Sequence, residues 1–270
     1  MSDSYHAQEG AKIPRLTYSI AKILLAQSPL HAWYAHPLLG AKQRKPTKAM
    51  DTGSICHGLM LGGGNAVDIL SFDSYRTKEA QFARDNAYTE NRIPVLEKDY
   101  QVCKEITDSA TEQLSSLLPD FFTPHESEYP LVWTADNGIE CQSKYDWINL
   151  STGLQIDLKF TGDASPDVCS RQIYNMGYDL QASFYSEAYR RTYPEMAGRE
   201  KWLNIFIETA EPYAVSIVEM DATFRELGDY KMNKALTTWK ECLNADEWPA
   251  YGYSRVSAPG WAMSQIMGEE

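Results

Sequence analysis

The stretch from Lys144 to Lys159, KYDWINLSTGLQIDLK, constrains the chain more than any other. Two segments of alternating or continuous apolar residues flank Asn149-Leu-Ser-Thr-Gly153, a cluster of turn formers, which is the pattern of a β-hairpin. With the turn centred between Ser151 and Thr152, Asp146 falls directly opposite Asp157. Cross-strand neighbours of this kind have Cβ atoms about 4.5–5.5 Å apart. Two carboxylates so close repel one another, and a divalent cation relieves that repulsion naturally: Mg²⁺ takes carboxylate oxygens at about 2.0–2.1 Å and keeps several waters. A slip of one residue would send the two acids to opposite faces. Period 2 places Lys159 on the same face as Asp157, where an ammonium can orient a water and stabilise charge developing at phosphorus. Leu154, Ile156, Leu158 and Phe160 supply the apolar positions of the same strand.

Elsewhere the periodicity predicts helices over 16–27, 53–61 and 76–118, strands within 131–160, and a helix from Ser165-Pro166-Asp167 to about Arg191 that breaks near Gly177. Two further strands over 203–209 and 213–220, joined at Glu211-Pro212, and a last helix over about 222–243 complete the pattern. Pro130 is expected ahead of the strand region, and the tail after 246 is expected to be irregular. The organisation is that of an α/β chain: one domain over 1–270, a sheet core at 131–220, a helical N-terminal extension, and a flexible stretch over 1–14.

His57 lies within the predicted helix GSICHGLML. It reads as a packed or surface histidine, or as a metal ligand if the fold brings it to the hairpin. Tyr178, Gln181 and Tyr185 share one helical stripe; core packing accounts for the tyrosines, but a buried amide needs partners. The five cysteines are scattered and odd in number, which argues against a disulfide framework or a cysteine zinc site and for an intracellular protein with free thiols. No apolar run reaches membrane-spanning length, and MSDSYHAQEG does not have the form of a signal peptide. Net charge is −12, yet Lys42, Arg44, Lys45 and Lys48 crowd together. That stretch reads either as a solvated loop or as a local phosphate-binding patch.

Taken in order, GSICHGLML, Glu128 before Pro-Leu-Val-Trp, Asp146, Ile-Asp157-Leu-Lys159-Phe-Thr and Gln181-Ala-Ser-Phe-Tyr185 resemble the PD-(D/E)XK nucleases of the RecB/RecE type. The nearest likeness is to the RecE (exonuclease VIII) nuclease domain and related phage and prophage recombination exonucleases. It runs over about 15–260, from Thr-Tyr-Ser-Ile and Ser-Pro-Leu-His-Ala-Trp to Pro259-Gly-Trp261. The proline of the family name is absent, since Asp146 follows Tyr145, as is common in this branch.

The resemblance implies a restriction-endonuclease-like fold with a central mixed sheet flanked by helices. It implies Asp146, Asp157 and the Leu158 carbonyl as ligands of Mg²⁺, for which Mn²⁺ can substitute, His57 as ligand of a second metal, and Lys159 as catalytic lysine. Gln181 and Tyr185 match the supporting QxxxY motif, and Glu128 is a supporting acid. Arg15 and Ser19 would meet a terminal phosphate, and Tyr178 with the basic cluster would contact DNA. The implied activity is 5′→3′ degradation of linear double-stranded DNA for single-strand annealing recombination. Such a protein would work as a ring-shaped trimer or tetramer beside a RecT-like annealing partner, in the cytoplasm of a bacterial or phage-infected cell and away from membranes. The competing expectations are an endonuclease, a 3′→5′ nuclease, and a non-catalytic acidic partner-binding protein. The iron–sulfur relatives of CRISPR spacer acquisition are disfavoured by the scattered cysteines.

Overall fold

The computed structural model describes residues 8, 11–41, 47–260 and 262–263. Lys42, Arg44, Lys45 and Trp261 lie outside the described residues.

The first predicted helix is shorter than the periodicity suggests. Leu16–Thr17 instead forms β1, and the Thr17 hydroxyl caps helix α1, Tyr18–Ala26, by accepting from the Ile20 amide. Ser28 ends that element and caps α2, Pro29–Ala35, with proline in its first turn. Helix α3, Lys48–Leu61, begins five residues earlier than predicted because Thr47 supplies a cap, and it stops at Gly62. The expected long helix over 76–118 is three elements: α4 (Lys78–Thr89), β3 (Ile93–Leu96) and α5 (Glu97–Leu117). Asn91, with φ 55°, turns the chain out of α4, and β3 contains Pro94, which a helix interior would reject. β3 pairs in parallel with β2, Val67–Leu70, a four-residue strand too short for its pattern to stand out.

The central sheet has six strands. After β1 come β4 (Glu126–Thr134), β5 (Glu140–Ile148) and β6 (Leu154–Thr161). Helices α6 (Pro166–Met176) and α7 (Tyr178–Thr192) meet at left-handed Gly177, as the sequence predicts. Strands β7 (Lys201–Glu208) and β8 (Val215–Glu219) and helix α8 (Ala222–Ala245) follow. Pro130 lies inside β4 rather than ahead of it; β4 pairs with β5 along one edge only, so the missing amide can face away from the ladder.

The sheet is mixed. β1 runs parallel to β5, β6 parallel to β7, and the other pairs are antiparallel. One face is covered by α1, α7 and α8, which bury Leu24, Phe184, Tyr189 and Trp239 against Phe206 and Tyr145. The other carries α3 and α5, with Ile55, Ile106 and Leu114 packed on Trp147, Ile156, Leu158 and Ile205. Helices on both faces bury β6 almost completely, which explains its apolar run. The five cysteines are buried and free. Among the described residues no helix is long and apolar enough to cross a membrane.

Candidate active site

The hairpin has the predicted register. Trp147 pairs with Ile156 and Ile148 with Gln155, and Asn149 closes the turn by accepting from the amides of Ser151 and Thr152. Continued one step, this register sets Asp146 opposite Asp157, but the ladder stops short of them. The amide of Leu158 turns to the Asp146 carboxylate, 3.2 Å from Oδ2. β6 then follows β7, while the same edge of β5 is taken lower down by β1 at Cys141 and Gln142. The two acids therefore sit in a fork between diverging strands.

Asp157 is 3 % exposed. Its carboxylate forms an ion pair with Lys159 and accepts from Gln181 Nε2 at 2.5 Å. Gln181 Oε1 in turn accepts from Lys159 Nζ at 3.1 Å, so both ends of this buried amide are satisfied. The ring of Tyr178 covers the same ammonium, 4.1 Å from centroid to Nζ. Burial works hardest against the charge on Lys159, but Asp157, Tyr178 and Asp146 together outweigh it and hold the amine above the usual lysine range. Held as an ammonium, Lys159 can donate hydrogen bonds and offset negative charge.

Asp146 is in the opposite condition. Burial first, and the neighbouring Asp157 second, push its carboxyl up from 3.8 to about 6. His57 Nδ1 stands 3.6 Å from Asp146 Oδ2, and His57 Nε2 lies 3.0 Å from the Leu158 carbonyl. Since a carbonyl only accepts, Nε2 carries the hydrogen. Helix α3 thus does bring His57 to the hairpin.

Among the described residues no three His, Cys, Asp or Glu side chains converge as a ready-made metal cage. The donor set still suits a hard cation. Two carboxylates and a backbone carbonyl offer oxygen, one of the acids is destabilised by the other's charge, and Mg²⁺ is ordinarily held by one or two carboxylates with water completing its shell. Asp146, Asp157 and the Leu158 carbonyl fit that role. His57 is hydrogen-bonded to the carbonyl here.

The remaining predicted residues divide. Tyr185, one turn beyond Gln181, is a brace: its carbonyl accepts from Tyr145 Oη at 2.6 Å and its ring packs edge-on against Tyr145 and Trp202. Arg15 is not brought to the centre. It is tied to Glu140 at 3.1 Å and Gln142 at 3.3 Å, six and four residues down β5 from Asp146, roughly 13–20 Å at strand spacing. Ser19 is exposed in the first turn of α1 and shares a hydrogen bond with Thr17 Oγ1; it is the adjacent Tyr18 that reaches the corner of α6 and α7, through the Met176 carbonyl. Lys48 pairs with Asp99 at the start of α3, nine residues and about 14 Å from His57.

Glu128 is nearby, in a cleft of about 290 Å³ shared with His57, Asp146 and Lys144. Sequence reasoning passed over Lys144, although it precedes Asp146 by the two residues that place side chains on one face of a strand.

A family described as "PDDEXK-like domain of unknown function (DUF3799)" matches residues 24–255. Among solved structures, a protein of Eubacterium rectale provisionally named an exonuclease superposes with a TM-score of 0.66 at 13% identity, over 98% of this chain and 97% of that one. A phage-related exonuclease of Haemophilus somnus aligns over 74% of this chain and 85% of its own, at 10% identity and a TM-score of 0.33. No curated protein matches. The Eubacterium likeness is one of fold.

Proposed function

The chain belongs to the PDDEXK-like family DUF3799, and from that premise we propose that it is a Mg²⁺-dependent deoxyribonuclease acting on linear double-stranded DNA, 5′→3′. The observation that carries the reading is the network of Asp157, Lys159 and Gln181, set across a fork from an acid that the same Asp157 destabilises. Asp146, Asp157 and the Leu158 carbonyl would hold the cation. When bound, it supplies Lewis-acid polarisation of a phosphodiester and a more acidic water. Lys159, kept protonated by Asp157, positions the attacking water and offsets charge on the phosphate oxygens; Gln181 holds the ammonium and the carboxylate at fixed separation. Tyr185 and Tyr145 keep α7 seated so that Gln181 stays in reach. Resection for single-strand annealing recombination, a ring-shaped trimer or tetramer, and a RecT-like partner belong to the same proposal and rest on the resemblance to RecE-type nucleases.

Linear duplex labelled at either the 5′ or the 3′ end, incubated with Mg²⁺, tests it. The parent should release 5′ label first as mononucleotide, and Asp157→Ala and Lys159→Ala should each slow release on the order of 10³-fold, a barrier change of about 4 kcal/mol. Either variant matching the parent refutes the assignment. Release of 3′ label first, or nicking of closed circles, would keep the centre and replace the polarity.

A further inference from the structure

The cleft holds a cation that the chemistry at Asp157 does not employ. Among the described residues Lys144 is the only lysine or arginine lining it, and its ammonium forms an ion pair with Glu128 on the facing strand, the two side chains being 14 and 30% exposed. Glu128 itself has a backbone φ of 53°, in the left-handed region that residues with a side chain seldom occupy. The β4–β5 ladder pairs Ser127 with Trp147 and Tyr129 with Tyr145, and skips the step between them, where Glu128 would face Asp146. Outliers of this kind persist where the surroundings hold them, and they gather at functional sites. Gly62 and Gly64 line the same cleft; Gly62, Gly63 and Gly64 have φ of 69°, 90° and 79°, and a Cβ on Gly63 would stand 3.8 Å from Glu128 Cγ. Glycines leave room for another backbone to approach closely.

Resting on the nuclease reading, we infer that Lys144 is a phosphate-binding residue of this cleft, receiving the DNA phosphodiester next to the one at Asp146 and Asp157, and that Glu128 holds its ammonium there until DNA replaces the carboxylate. A phosphate must then compete with Glu128. Removing that carboxylate should strengthen DNA binding, whereas an acid that only served the metal would have the opposite effect.

The test is binding of a fluorescent duplex oligonucleotide to the full chain, with Ca²⁺ in place of Mg²⁺, followed across a salt series. Lys144→Met should weaken binding about 10-fold and lower the slope of log K against log salt by about 0.9, the value for one lost phosphate contact. Lys144→Arg should restore most of the affinity, which separates lost charge from lost folding. Glu128→Gln should tighten binding several-fold, and the gain should vanish when combined with Lys144→Met. The same Lys144→Met deficit on 5′-phosphorylated and 5′-hydroxyl ends supports an internal phosphodiester; a deficit confined to phosphorylated ends assigns the site to a terminal phosphomonoester. If the parent binds and cuts DNA but Lys144→Met leaves affinity and salt slope unchanged, the inference is overturned and the nuclease reading stands. A parent that neither binds nor cuts DNA overturns both.

Discussion

Gln181 Nε2 donates to Asp157 Oδ1 at 2.5 Å, across the boundary between helix α7 and strand β6. The other end of the amide accepts from Lys159. One side chain thereby sets the separation of an acid and an amine whose own strand leaves them free to rotate. Gln181→Leu removes both bonds at nearly constant volume and should lower the rate of duplex degradation by about 10–100-fold, the usual loss when a supporting partner of a metal centre is removed. Steady-state cleavage with and without added Mg²⁺ measures it, and a variant with full turnover would show that Gln181 only packs.

The carboxyl of Asp146 makes a specific pH signature. Its folded-state value of about 6 exceeds the ordinary 3.8, so between these limits the unfolded chain gives up its proton first. Stability of the metal-free protein should fall as pH rises from about 4 to 6 and level off above, by on the order of 3 kcal/mol from this one group. Asp146→Asn cannot ionise. In EDTA it should be more stable than the parent at pH 8, with the difference closing at pH 4. Urea unfolding at the two pH values checks this, and curves displaced equally at both would contradict it.

Mg²⁺ should stabilise the parent by mass action. At a hundred times its dissociation constant the gain is about 2.7 kcal/mol, or roughly 5 °C in Tm for a chain of this size. Asp146→Asn combined with Asp157→Asn should abolish the shift. A double variant that responds like the parent would place the ion elsewhere.

Gly228 of α8 lies so close to α7 that a Cβ there would collide with the Asp179 carbonyl and the Ser183 hydroxyl. Both contacts belong to the helix that carries Gln181. Gly228→Ala should cost about 1–3 kcal/mol through overpacking, read as a fall in Tm; an unchanged Tm would show that the two helices can separate without penalty.

Much of the centre was legible because it follows from local rules. The hairpin turn residues gave the register of the Trp147–Ile156 rung next to Asp146 and Asp157, and the period of two put Lys159 beside Asp157; the divergence of the strands beyond that rung was not legible. That a buried amide requires partners marked Gln181, but which partners it takes, Asp157 and Lys159, only the fold shows. The splitting of 76–118 was hidden because helices on both sides of the four-residue strand Ile93–Leu96 carry helical patterns, so a short tertiary pairing with β2 interrupts what reads as one element. Arg15 could not be placed by order along the chain: the two-residue strand that follows it docks at the far end of β5, a contact set by more than 120 intervening residues. The left-handed turn at Glu128 leaves no trace in composition, since glutamate does not favour it.

Strands β5 and β6 are zipped only from the Asn149 turn to the Trp147–Ile156 rung, and then each takes a different neighbour. Mechanically this is a pair of forceps: a stiff pivot anchored in the apolar layer beneath, and tips borne by separate parts of the sheet. The gap between the two acids is therefore set by the neighbours that each tip takes, β4 and β1 on one side and β7 on the other, and by the Leu158 amide that crosses it, rather than by the hairpin rungs.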